Sequence, residues 1–176
     1  MGADIDGFLE IKRNGKWEKN EDKIFEQNSD HPFENRSYAI FGFLAGVRNY
    51  SNCEIISERK GLPLDSEYLN TVVQEEWLIS YTYTLRDKII ENPDYHSLTY
   101  LTLQELIDFD YEKQFEDRRT TRINGLGVNG AAIVDEGEGI IKTYREFLGE
   151  WFFKDLETMK TLGEPENVRF VFWFDN

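Results

Sequence analysis

Residues 168–174, Val-Arg-Phe-Val-Phe-Trp-Phe, restrict the fold of this chain more than any other stretch. In a strand, successive side chains point to opposite faces. Val168, Phe170, Phe172 and Phe174 then share one face, while Arg169, Val171 and Trp173 share the other. Both faces are mostly apolar, which is the pattern of a central strand covered on both sides. A second strand signal lies at the N-terminus, where Ile5, Leu9 and Ile11 alternate with Asp4, Asp6, Phe8, Glu10 and Lys12. Asn14-Gly15 follows, the strongest short hairpin signal, and places Trp17 on the return strand.

Helical signals fill the space between. Tyr38, Phe41, Leu44 and Arg48 recur at helical spacing, with Ile40, Phe43 and Val47 widening the stripe, which predicts a buried helix over 38–48 of about three turns. Residues 139–162 carry the longest apolar stripe, from Ile140 to Met159, with Gly163 as the stop. Asp65 or Ser66 can cap a helix running to Leu78. Thr102-Leu103-Gln104-Glu105 is a capping box opening a helix to Phe109. Strands are predicted over 79–85 and 97–101, and surface loops over 20–35 and 86–95. Gly125, Gly127 and Gly130 lie in a loop or bulged hairpin; no Gly-Lys-Ser/Thr closes them into a phosphate loop. The expected architecture is α+β: a small, mainly antiparallel sheet of the N-terminal hairpin and C-terminal strand, packed by the 38–48 and 139–162 helices. A length of 176 residues suits a single domain, 1–176, with its own core.

Charge narrows the function. Thirty-four acids against 20 bases give a net charge of −14. Phosphate-tracking grooves need clustered Lys and Arg, so general nucleic-acid binding is disfavoured. No apolar run is long enough for a transmembrane helix, and Asp4 and Asp6 stand where a signal peptide would carry positive charge. The lone Cys53 suits a reducing compartment; among Asn52, Glu54 and Glu58 it is a poor nucleophile.

Five separated stretches carry a family likeness: MGADIDGFLEI, RSYAIFGFLAGVRNY, RKGLP, HSLTYLTLQEL and RFVFWFDN. Together, and in this order, they resemble small phage and prophage proteins that typically begin Met-Gly-Cys-Asp-Ile-His. The resemblance implies a bacteriophage accessory protein acting in the host cytoplasm and brings no established activity with it. This chain has Ala3 where the family has cysteine and Asp6 where it has histidine. The family's Gly-His-Ser-His-Ser element is reduced to Tyr95-His96-Ser97-Leu98-Thr99.

Two sets of residues can carry chemistry. Period 2 puts Asp4 and Asp6 on one strand face. In the family pattern, Asp-x-His on the first strand and His-x-His elsewhere read as metal ligation. The resemblance thus implies Asp4, Asp6 and His96, with Asp175 on a neighbouring strand, as a set for Mg²⁺ or Mn²⁺ in a metal-dependent phosphoesterase. The alternative is a solvated strand face and a hydrogen-bonding turn histidine. Arg36, Arg48, Asn49 and Arg59 flank the 38–48 helix and the Gly61-Leu62-Pro63 turn, where guanidinium forks can hold phosphate. His96 and Tyr100 complete that ligand set, and Arg118, Arg119 and Arg122 form a further basic patch. Tyr81, Tyr83 and Tyr95 are additional strand aromatics able to stack on a ring. The leading expectation is a protein that sequesters a small phosphorylated, nucleotide-type ligand of host defence. The alternatives are an acidic blocker of a host protein and the phosphoesterase. A homo-oligomer, most simply a dimer, is the expected assembly.

Overall fold

In the computed structural model, which describes residues 2–26, 29–76, 80–124 and 127–176, the C-terminal strand lies at the centre of a four-stranded antiparallel sheet. The elements in chain order are β1 (Asp4–Arg13), β2 (Lys16–Lys19), α1 (Tyr38–Ala45), β3 (Val72–Glu76), β4 (Ser80–Thr84), α2 (Leu85–Glu91) and β5 (Tyr95–Thr102). They continue with α3 (Leu103–Asp108), β6 (Gln114–Asp117), β7 (Arg119–Asn124), β8 (Gly127–Ile133), β9 (Ile140–Thr143), α4 (Tyr144–Lys160) and β10 (Val168–Asp175). The main sheet runs β2-β1-β10-β5, and three two-stranded ribbons pair β3 with β4, β6 with β9, and β7 with β8. The α+β architecture expected from the sequence is the one observed.

The alternation along β10 sets the two cores. Val168, Phe170, Phe172 and Phe174 lie opposite Ile11, Leu9, Gly7 and Ile5 of β1. That face packs on α1, α3 and α4 through Phe41, Phe43, Leu106 and Phe152. The other face presents Phe8, Val171 and Trp173 to Leu62, Leu69 and Ile89, so a loop and α2 cover it. Gly7 allows the strands to close up: a Cβ there would sit 2.5 Å from the Val171 carbonyl oxygen. Asn14 and Gly15 turn the β1–β2 hairpin with φ of 51° and 80°, as a two-residue hairpin requires.

Several boundaries differ from the pattern reading. The 38–48 helix stops at Ala45 because Gly46 caps it with φ 73°, its N–H donating to the Gly42 carbonyl at 2.9 Å and the Val47 N–H to the Phe41 carbonyl at 3.2 Å. No helix forms over 65–76: the Ser66 hydroxyl accepts from Leu69 N–H in a turn, and Val72-Val73 then enters β3. The end of that predicted helix (Trp77, Leu78), Ile79 and Gly125 lie outside the described residues. The 86–95 loop is instead α2, opened by a capping box between Thr84 and Asp87. The 139–162 helix begins only at Tyr144, after a Thr143–Glu146 capping box, because Ile140–Thr143 pairs with β6. Gly149, at φ 75° and ψ 174°, kinks it. The 20–35 segment is irregular as expected, yet Phe25, His31 and Phe33 are buried. Phe33 stacks on Phe152 at 4.9 Å and its N–H donates to Asp155.

Candidate anion-binding site

Because the sheet is antiparallel, β1 starts, β10 ends and β5 starts at one end of it. Asp4 faces Asp175, which faces Tyr95; one step in, Phe174 lies between Ile5 and His96. Three of the sequence-flagged arginines gather around this end. Arg36 forks onto Asp4, with Nε donating to Oδ1 at 2.6 Å and Nη2 donating to Oδ2. This hydrogen bond holds the Asp4 carboxyl below its ordinary value and raises Arg36. Arg48, with φ 52° just beyond α1, donates to Asn176 Oδ1 at 3.2 Å and to the Tyr50 hydroxyl at 3.5 Å.

Arg59 arrives by a different route. Phe172 pairs with Thr99 and Phe174 with His96, so β5 carries a bulge opposite Trp173. Ser97, at φ 55°, is the residue turned out of phase. Its hydroxyl accepts from Arg59 Nη1 at 2.8 Å and lies 3.0 Å from His96 Nδ1. The shift leaves His96 stacked on Phe174, ring centroids 6.1 Å apart, and its Nε2 buried without a partner among the described residues.

Two flagged residues are placed elsewhere. Asn49 is occupied within its own loop, donating to the Cys53 carbonyl at 2.8 Å and accepting from the Cys53 N–H at 3.0 Å. Tyr100 faces the opposite side of the sheet, under the Lys60 ammonium at 4.8 Å and the Arg169 guanidinium at 5.3 Å. The Cys53 thiol, buried and pushed up to about 12 by that burial, stays protonated at neutral pH.

The proposed metal ligands do not converge. Asp4 is held by Arg36 and His96 Nδ1 lies against Ser97. Asp6 is half-buried, and its pKa is raised by that burial and then by Asp175. Among the described residues no group of three or more His, Cys, Asp or Glu is placed to hold a metal ion.

A groove opens beside the arginines. Arg36, Ser37, Tyr38, Ala39 and Arg119 line a hollow of about 340 Å³. Tyr38 and Arg119 also line an adjoining hollow of about 550 Å³ with Tyr50 and Ile133. The Arg119 guanidinium lies 5.9 Å over the Tyr38 ring, and Tyr38 meets Tyr50 edge-on at 6.1 Å. Arg119 is exposed and its side chain makes no ion pair among the described residues. The N-terminus of α1 opens here, capped by Ser37 and without an acidic residue in its first turn. The first turns of α2, α3 and α4 carry Asp87, Glu105 and Glu146. The positive end of α1 is therefore uncompensated by a side chain of its own first turn, a setting that favours an anion. Of the other flagged groups, Arg118 Nε donates to the Val134 carbonyl at 2.9 Å; the side chains of Tyr81 and Arg122 lie outside the described residues.

Pattern reading missed the most deeply buried charges. Glu10 (0% exposed) accepts from Arg169 Nε at 2.7 Å and from the Ser66 hydroxyl; Arg169 (3% exposed) also donates to Asp65 at 2.8 Å. The guanidinium sits 4.0 Å over Trp17. The available signal was Arg169 itself, a cation inside an apolar strand that needs a carboxylate partner. Comparison with protein-family models, curated proteins and solved structures finds no match to this chain.

Proposed function

We propose that this chain is a phage-type accessory protein that binds and sequesters a small phosphorylated, nucleotide-type ligand in the groove between Arg36 and Arg119. One observation carries the reading. In a chain of charge −14, an arginine with no ion pair among the described residues lies over a tyrosine at the end of a helix whose first turn carries no acid. Phosphate oxygens would take N–H donors from Arg119, the outer face of Arg36 and the first turn of α1. A base would stack on Tyr38 or Tyr50. Binding rather than turnover fits the site, because the Cys53 thiol is buried and protonated and the Asp4 carboxylate is held by Arg36. The phage setting, host cytoplasm included, rests on the sequence resemblance. No helix among the described residues is long and apolar enough to cross a membrane.

Calorimetry with cyclic oligonucleotides, ADP-ribose derivatives and inorganic phosphate tests this. One nucleotide class should bind and be recovered intact, and Arg119→Ala should weaken it by about tenfold or more, as for loss of a hydrogen bond to a charged group. Failure of the whole panel to bind at micromolar concentration sinks the reading.

A further inference from the structure

Both donor edges of Arg36 are already covered by the chain itself, and this narrows the kind of phosphate that can use it. We infer that the groove takes a terminal phosphate, a phosphomonoester dianion, which displaces the Asp4 carboxylate from Arg36, and that it disfavours ligands whose phosphates are all bridged. The inference rests on the reading of the groove as a nucleotide site and adds the class of nucleotide.

A guanidinium offers a two-point grip along either of two edges. The edge made by Nε and Nη2 of Arg36 is filled: Nε donates to Asp4 Oδ1 at 2.6 Å, and Nη2 donates to Oδ2. The other edge is crowded by the segment leading into β1. A Cβ on Gly2 would come within 2.5 Å of Arg36 Nη1 and 3.0 Å of its Cζ, so the main chain of Gly2 lies against that end of the guanidinium. Arg36 nevertheless lines the hollow with Ser37, Tyr38, Ala39 and Arg119. It lends the groove its charge and its outer face, and it grips a ligand at two points only when Asp4 lets go. Both partners are about half exposed, so they can part without leaving a lone charge in the interior.

Asp4 is therefore the ligand's rival, and a tethered rival is strong because it is always close at hand. A phosphodiester only matches it, with one negative charge shared by two free oxygens. A terminal phosphate carries close to two charges above its second pKa of about 6, and it presents three acceptor oxygens. Two of them can take the edge that Asp4 vacates, while the third meets Arg119 or the N–H groups of the first turn of α1. The extra charge and the extra contact tip the exchange. Asp175 supplies a control for this competition. It faces Asp4 across the β1–β10 pair and its Oδ1 accepts from the Asp4 N–H at 3.2 Å, so its charge is nearby but does not fill the Arg36 fork.

Calorimetry on the whole protein at about pH 8, where a terminal phosphate is a dianion, tests this. The probes are the common 5′-mononucleotides, their 3′,5′-cyclic counterparts, cyclic oligonucleotides and ADP-ribose. At least one mononucleotide should bind about tenfold or more tightly than its cyclic counterpart, as for an added hydrogen bond between charged groups. It should also bind more tightly than any probe whose phosphates are all bridged. Asp4→Asn, which weakens the rival, should tighten that mononucleotide by about two- to fivefold, the worth of an exposed ion pair. Asp175→Asn should tighten it less. The inference is overturned if a fully bridged phosphate binds as tightly as every mononucleotide, or if Asp4→Asn tightens binding no more than Asp175→Asn does. The two readings of the groove fail differently. If no probe binds, the nucleotide reading falls and takes this inference with it. If a bridged phosphate binds best and Arg119→Ala weakens it, the nucleotide reading stands and this inference alone is lost.

Discussion

Two arginine–carboxylate pairs rest on the same face of β1, six residues apart, and they do different work. Arg169 holds Glu10 in the interior, with Ser66 and Asp65 completing the network. Arg36 holds Asp4 at the end of the strand, where both side chains are about half exposed. The same chemistry has opposite consequences because the surrounding dielectric differs. The inner pair is costly to break, since Glu10 alone would be a buried uncompensated charge, while Arg169 alone would keep only the exposed Asp65. The outer pair can be opened by water or by an incoming anion at little cost, as exposed pairs generally can. A stapling arginine and a binding arginine are thus distinguished by burial rather than by residue type.

Breaking the inner pair should give the largest effect. Arg169→Ala should destabilise the fold by about 3–5 kcal/mol in urea unfolding, because Glu10 is left without its counter-ion. The double variant Glu10→Leu/Arg169→Met should be more stable than Arg169→Ala, since it removes both charges; equal or lower stability would mean that the pair is not the source of the loss.

Next in size comes the pH dependence, which should run in opposite directions for the two carboxylates. Burial raises the folded-state pKa of Glu10 above its unfolded value, outweighing Ser66 and Arg169. Its favourable contribution is present below the unfolded value and is lost as pH rises through the folded value. Wild type should therefore lose stability relative to Glu10→Gln as pH climbs through that window. For Asp4, lowered by the Arg36 hydrogen bond, the contribution is present above the unfolded value and disappears as pH falls through the folded one. Urea midpoints of wild type, Glu10→Gln and Asp4→Asn across the acidic range would show either the two slopes or their absence.

The smallest effect belongs to Arg36. Arg36→Ala should return the Asp4 pKa towards its ordinary value in a carboxyl-carbon titration while barely moving the urea midpoint. A large loss of stability would place Arg36 with Arg169 as a staple and weaken its role as a binding residue.

Much of the frame was legible because its causes are local. The Asn14-Gly15 turn and the Thr102–Glu105 box have fixed chemistry over four residues or fewer, and both form as expected. The equivalent box at Thr84–Asp87 announces α2 in the same way, though the charged run around it reads as loop. Apolar periodicity was less dependable. Ile140 and Ile141 fit the stripe of α4 but lie exposed in β9, because strand pairing with β6 claimed them before the capping box at Thr143 could start the helix. Three arginines of the expected ligand set collect at one end of the sheet, but of that set only Arg36 lines the groove; Arg119 belongs to the separate basic patch beside the glycines. That Asn49 is consumed by Cys53, and that the Ser97 bulge puts His96 and Tyr100 on opposite faces, had no local signature.

The sequence by itself determined that the last strand is central, that a hairpin opens the chain, and that helices must cover at least one face. These follow from side-chain period and turn chemistry, which act over a few residues. Tertiary structure alone decided which charges meet: Glu10 and Arg169 are 159 residues apart, and Asp4 and Arg36 are 32 apart. Such pairs are set by strand register and loop path, and their energies depend on burial that exists only once both cores have closed.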